Sequence, residues 1–314
     1  MAIRPRIGGD RKLNYLVCED MMYNTINLFG LCLTVLGAIP PAVAVDLSYT
    51  FNPPIGICTS VNNGSKMQPW GYDYIESGVK RLLVPQESDA QFQENLQEAK
   101  QSPLPIYSYN GFIPGSLKST GPDADPIAVL AYAETAFRRA QQVGSQVIVF
   151  GSGGSRGVPE GFSYEKATQQ FTALLMKMGP IAARYDITVV IEPLNRGECN
   201  FINTVTEGTA IARAVNHPNI RVLADFYHML KEDEGPQSIL DAGFLLAHCH
   251  IAEEEGRRAP GSHGENFVPY LLALKQIHYS GRISIECRWS KGAAFDKELP
   301  TAIAYLRGQI VACQ

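Results

Sequence analysis

Four polar residues stand where apolar runs end. Glu192 follows Val189-Val190-Ile191, Asp225 closes "IRVLAD", His250 lies in "HCHIA" two residues after His248, and Glu286 follows "ISI". Each is framed by residues of the type that fills a core, and a charge buried there has to be paired or has to bind a cation. Carboxylates from Glu192, Asp225 and Glu286 with the imidazole of His250 make an O3N ligand set. That mixture suits hard or borderline divalent ions, Mn2+ first and Mg2+ or Co2+ as alternatives, with coordination positions left for the oxygens of a small molecule. Zinc more often recruits further histidine or cysteine. His248 and His250 project to the same side of an extended chain. The later one lies nearer the end of its run and is the expected ligand, which leaves His248 in the core or behind the ligands.

These residues need elements that bring their ends together. After residue 50 short β-branched runs alternate with longer amphipathic segments. The runs at 55–61, 79–85, 105–110, 146–151, 187–193, 220–226, 246–252 and 283–289 read as strands; 90–101, 126–143, 163–184, 205–216 and 299–312 read as helices. Asp125 before Pro126 is a good N-cap followed by proline in the first turn. Nearly continuous apolar strands alternating with helices predict parallel strands covered by helices, and eight such units fit an α/β fold of the (β/α)8 TIM-barrel type. In such a barrel, functional groups gather at the C-terminal strand ends, where the four candidates fall. An open doubly wound sheet is the competing architecture, but no GxGxxG follows the first strand. The later "GSGGSRG" (151–157) reads as a loop needing positive φ rather than a phosphate cradle.

One barrel domain is expected over 45–314, preceded by a leader at 1–44. Arg4, Arg6, Arg11 and Lys12 precede the apolar run "INLFGLCLTVLGAI", and Ala42-Val43-Ala44 fits a small-residue cleavage site. This pattern predicts a secretory signal peptide and an exported protein with no stable membrane insertion after processing; an uncleaved chain would be cytoplasmic. A net charge of −4 offers no basic field to attract nucleic acid. Seven cysteines without CxxC spacing argue against a disulfide framework.

"IEPLNRGECNFINT" (191–204), "DFYHM" (225–229), "HCHIAEEEGRRAPG" (248–261) and "IE" (285–286) resemble, in order and spacing, the sugar isomerase/epimerase branch of the xylose-isomerase-like barrels. That branch is typified by the D-tagatose and D-psicose 3-epimerases. The resemblance spans residues 53–310 and is strongest from 187 to 290. It implies a divalent metal held by Glu192, Asp225, His250 and Glu286, and Glu192 and Glu286 as the acid/base pair. It also implies contacts from His228, Arg257 and Glu198 to the hydroxyls of a small sugar, and a homo-oligomer. One residue more than the family's usual spacing separates His250 from Arg257, so Arg258 is the alternative in that role.

Epimerisation beside a ketone needs a proton removed on one face and returned on the other, which two opposed carboxylates can do through an enediolate. An aldose–ketose or hydroxypyruvate-type isomerase, or a dehydratase acting on inosose or dehydroshikimate, begins with the same proton abstraction and shares the ligand set. An exported sugar-binding barrel without turnover is the reading from another class, and the complete ligand set argues against it. An apurinic endonuclease of the same superfamily needs three zinc ions and more than the six histidines present. Trp70, Tyr72 and Phe112 are candidates either for a sugar-pocket wall or for the core.

Overall fold

A closed ring of eight parallel strands, each hydrogen-bonded to the next and β1 to β8, organises residues 49–314, which the computed structural model describes. The expected leader at 1–44 lies outside the described residues. The strands are β1 (Ile55–Cys58), β2 (Tyr74–Gly78), β3 (Ile106–Asn110), β4 (Val147–Phe150), β5 (Thr188–Ile191), β6 (Ile220–Asp225), β7 (Leu246–Ile251) and β8 (Arg282–Ile285). Seven of them overlap the predicted runs. The exception is β2, expected at 79–85; those residues begin with a wide helical turn, Val79–Leu83, and the strand lies directly upstream. Val79, Leu82 and Leu83 are buried at helical spacing, whereas the true strand "YIESG" carries Glu76 and Ser77 and so lacks a continuous apolar signature.

Alternation along each strand sorts side chains between lumen and shell. Val147, Val149, Val190 and Leu223 pack together inside the barrel, while Ile148, Phe150, Val189 and Ile191 join the larger core beneath the helices. Continuing the inward set places Glu192 and Asp225 at the upper end of the lumen. The main covering helices are α1 (Asp89–Gln101), α2 (Pro126–Val143), α3 (Tyr164–Ala183), α4 (Val205–Val215), α5 (Gln237–Ala242), α6 (Val268–Gln276) and α7 (Ala293–Val311). In α2 the Asp125 carboxylate accepts from the Ile127 and Ala128 N–H groups, and Gly144, at φ 89°, ends the helix. Its inner face, Val129, Tyr132, Ala133, Ala136, Phe137 and Ala140, follows the helical period.

Phe137, Phe112, Phe150, Phe171 and Phe201 form, in that order, a chain of rings with successive centroids 5.0–5.8 Å apart, joining the loop after β3 to β4, α2 and α3. Phe112 and Tyr72 are therefore core residues; the Tyr72 hydroxyl donates to the Leu299 carbonyl at 3.0 Å. Trp70 stands half-exposed. Phe112→Ala should lower unfolding free energy by about 3–5 kcal/mol, measured by urea denaturation; a loss below about 1 kcal/mol would show that the ring carries little of the packing.

Candidate active site

The two-residue period that fills the lumen also stacks its polar residues in tiers. In the lower tier Glu76 is fully buried. Its Oε2 accepts from Ser108 Oγ and Ser284 Oγ, each at 2.7 Å, and meets His248 Nε2 at 2.8 Å. Its Oε1 lies 2.9 Å from His250 Nε2. Burial alone would raise the Glu76 pKa, but the charge of His250 and hydrogen bonds from both imidazoles hold it well below the carboxylate range. His248 is shifted down by burial, which favours its neutral form.

His250 therefore presents Nδ1 to the upper tier. That nitrogen lies 2.9 Å from Glu192 Oε1 and 3.3 Å from Glu286 Oε2. Strand register sets Asp225 beside His250. Donor atoms of Glu192, Asp225, His250 and Glu286 lie within 4.8 Å of one another, a spacing that could hold one metal ion. The fit goes beyond proximity: histidine ligands to metals usually donate their second ring N–H to a carboxylate, and Glu76 is placed to receive it. Cys58 lies near Glu76 and His250 in a second such group, but the His250 nitrogen on that side already meets Glu76.

Arg257 faces the same cluster. Its Nη2 lies 2.5 Å from Glu286 Oε2 and 3.4 Å from Asp225 Oδ2, and its Nη1 lies 3.3 Å from Glu198 Oε1. Arg258 turns the other way, to Glu298, Ser290 and the Arg288 carbonyl. Arg257 adopts left-handed φ of 54° directly after Gly256 at 66°, a conformation that costs a non-glycine residue about 1–3 kcal/mol. The loop is anchored on Glu253, whose carboxylate is buried and accepts from the N–H groups of Gly261, His263, Gly264 and Glu265. His228 lies on the short helix Phe226–Lys231, 1% exposed, with Nε2 3.5 Å from Asp225 Oδ2. Its Nδ1 accepts from the Asn195 backbone N–H at 3.1 Å. Asn110 Nδ2 donates to Glu286 Oε1 at 2.7 Å.

Glu192 and Glu286 differ in surroundings. For Glu286 burial acts upward, but the charge and hydrogen bond of His250, with the charge of Arg257, outweigh it and hold the carboxyl at about 2. For Glu192 burial dominates over the His250 hydrogen bond and raises the pKa, so it is the readier of the two to carry a proton. Its backbone carbonyl accepts from Arg156 Nη2 at 2.7 Å.

Residues 66–309 match the family described as xylose isomerase-like TIM barrel. The chain belongs to that family. An L-ribulose 3-epimerase of Methylomonas sp. (strain DH-1) is 31% identical over 226 residues, 69% of this chain and 74% of the relative. A D-psicose 3-epimerase of Agrobacterium fabrum is 28% identical over 232 residues, 70% of this chain and 76% of the relative. In fold the barrel resembles a crystal structure of a D-psicose 3-epimerase in the presence of D-fructose, with TM-score 0.72 and 22% identity over 82% of this chain and 99% of the other.

Within this family barrel the structure brings Glu192, Asp225, His250, Glu286, Arg257 and Glu198 to one cluster and sets His228 behind Asp225. Sequence reasoning missed Glu76, Asn110 and the Glu253 anchor. A signal for Glu76 was present: "YIES" repeats the Ile-Glu pair of "VIEP" and "SIEC", where an inward carboxylate also follows an outward Ile. "GSGGSRG" does take a positive φ, as expected, although it falls on Ser152 and not on the neighbouring glycines. Gly151 is needed for close approach, because a Cβ there would come 2.0 Å from Glu192 Oε2.

Glu76→Leu removes the acceptor that fixes His250, and cation affinity measured by calorimetry should fall about 10–100-fold; unchanged affinity would exclude an orienting role. Gly151→Ala forces Glu192 aside. It should lower both cation affinity and, by about 1–3 kcal/mol, stability in denaturant, and equal values for both proteins would disprove the contact.

Proposed function

We propose that this chain is a divalent-metal-dependent carbohydrate epimerase whose most fitting substrates are free ketoses, epimerised at the carbon beside the ketone. The observation that carries the reading is the convergence of Glu192 and Glu286, from the ends of β5 and β8, on His250 Nδ1 at 2.9 and 3.3 Å, with Glu192 buried and Glu286 paired to Arg257. Two carboxylates set apart in this way are suited to an acid and a base acting on one small molecule. The relatives named as L-ribulose and D-psicose 3-epimerases support the same chemistry.

Glu192, Asp225, His250 and Glu286 would hold the metal, Mn2+ first and Mg2+ or Co2+ as alternatives. When bound, such a cation supplies Lewis-acid stabilisation of negative charge developing on substrate oxygen. Glu286, held ionised, takes the proton from the carbon beside the ketone, and Glu192 delivers one to the opposite face of the enediolate. In the reverse direction the roles exchange. Arg257, already against Glu286 and Glu198, orients a hydroxyl and keeps the Glu286 carboxylate ionised. Glu198 is the further hydroxyl partner, and His228, behind Asp225, orients that carboxylate. An unphosphorylated sugar suits an exported protein, the localisation proposed from the leader sequence.

The test is proton NMR of metal-loaded protein in D2O with D-fructose, D-psicose and L-ribulose. Deuterium should enter at the carbon beside the carbonyl as the epimer forms. Glu192→Gln and Glu286→Gln should each slow epimerisation at least about 100-fold, with bound metal quantified in each variant. Exchange at background rate in all three proteins would sink the proposal.

A further inference from the structure

β1 and β8 are hydrogen-bonded neighbours, so the loops that leave their C-terminal ends run side by side at the mouth of the barrel. Between them lies a groove of about 640 Å³. Thr59, Asn63 and Lys66 line it from the β1 side, and Trp289, Phe295 and Asp296 from the β8 side. Thr59 directly follows Cys58, whose sulfur lies near Glu76 and His250, and Trp289 stands three residues after Glu286. Both walls thus follow the strands, β1 and β8, whose ends carry Cys58 and Glu286. Its volume falls in the range of about 300–1,000 Å³ common for small-molecule sites.

The lining is that of a surface for a neutral polyhydroxylated ring. Trp289 and Phe295 meet edge to face at 5.5 Å and supply apolar ring surface. The Trp289 indole N–H is buried and finds no acceptor among the described residues, an exception to the rule that buried donors are paired. Asn63 Nδ2 donates to Thr59 Oγ1 at 2.8 Å, which orients the amide and leaves its oxygen free of that bond. Lys66 Nζ and Asp296 Oδ1 close the floor at 3.0 Å, both half-exposed. An ion pair of that exposure contributes little to stability and can exchange its bonds for hydroxyl groups. It also neutralises Lys66, whereas Lys291, on the same lining, makes no ion pair among the described residues.

We propose that this groove is a second sugar subsite, which takes the neighbouring ring of a keto-sugar glycosidically linked to a further unit while the carbonyl-bearing unit occupies the carboxylate cluster. The inference rests on the epimerase reading for the position of the reacting unit. No group transfer occurs in the groove: at the keto unit one proton leaves a carbon and another is delivered to its opposite face, and the glycosidic bond is untouched.

The chain has two tryptophans, so Trp70→Phe leaves Trp289 as sole reporter. The full-length, Mn2+-loaded variant is titrated by fluorescence with D-fructose, D-fructose 6-phosphate and three ketose disaccharides of different linkage, lactulose, maltulose and isomaltulose. At least one disaccharide should shift Trp289 emission and bind about tenfold or more tighter than fructose. Trp289→Ala, checked for folding by circular dichroism, should lower kcat/KM for that disaccharide about tenfold more than for fructose; where it fails to fold, Trp289→Phe takes its place. No disaccharide binding tighter than fructose, or fructose 6-phosphate binding tightest, overturns the subsite. Binding at Trp289 without deuterium exchange on any sugar would overturn the epimerase reading and keep the groove. Exchange on fructose without preference for a longer sugar would do the reverse.

Discussion

Four carboxylates in one barrel lumen repel each other, and the upper half of this structure is arranged around that repulsion. Glu76, Glu192 and Asp225 are buried and Glu286 is partly so, and an uncompensated buried charge costs several kcal/mol. His250 lies between two of them and Glu76, and Arg257 bridges two from above. Under the proposed function a divalent cation, Arg257 and one shared proton neutralise the cluster, and His250 is then free to ligate as neutral imidazole. The proton that balances the charge is the one the chemistry moves.

The supporting loops follow from the same need. Arg257 can reach Asp225 and Glu286 only because its backbone turns left-handed after Gly256, and Glu253 holds that loop through four backbone N–H groups. The Arg288 N–H donates to the Arg257 carbonyl at 2.7 Å, so the loops after β7 and β8 are tied where their charged side chains meet. Arg156, buried beneath β5, holds the Glu192 carbonyl while Gly151 leaves room for its carboxylate. Position is thus fixed from the backbone outward.

Most of the fold was legible because seven strands carry short runs rich in β-branched, apolar and aromatic residues and their helices keep a clear period. The metal-type ligands were legible for the opposite reason: each interrupts such a run at its C-terminal end. β2 failed on both counts, since Glu76 and Ser77 break the apolar signal and the next turn offers a better apolar run out of place. The strand whose function had most altered its sequence was the one displaced, and Glu76 was lost with it. Arg257 and Arg258 are chemically alike and adjacent; only the left-handed turn decides which one faces inward. Phe112 and Tyr72 could be assigned to the core only once their neighbours across the barrel were known.

The barrel closes by pairing Ile55 on β1 with Ile283 on β8, residues from opposite ends of the described chain. Pairing at such sequence separation is slow, because most of the chain must be ordered before it is rewarded. Until it happens β1 and β7 are open sheet edges, able to recruit other strands. Glu286 follows β8 immediately, so the last carboxylate arrives with the closure itself. A chain still emerging from the ribosome cannot assemble the full cluster before β8 and Glu286 have been made. Completion of the site thereby marks completion of the barrel, and a cation that prefers the full ligand set would select closed molecules over partly folded ones.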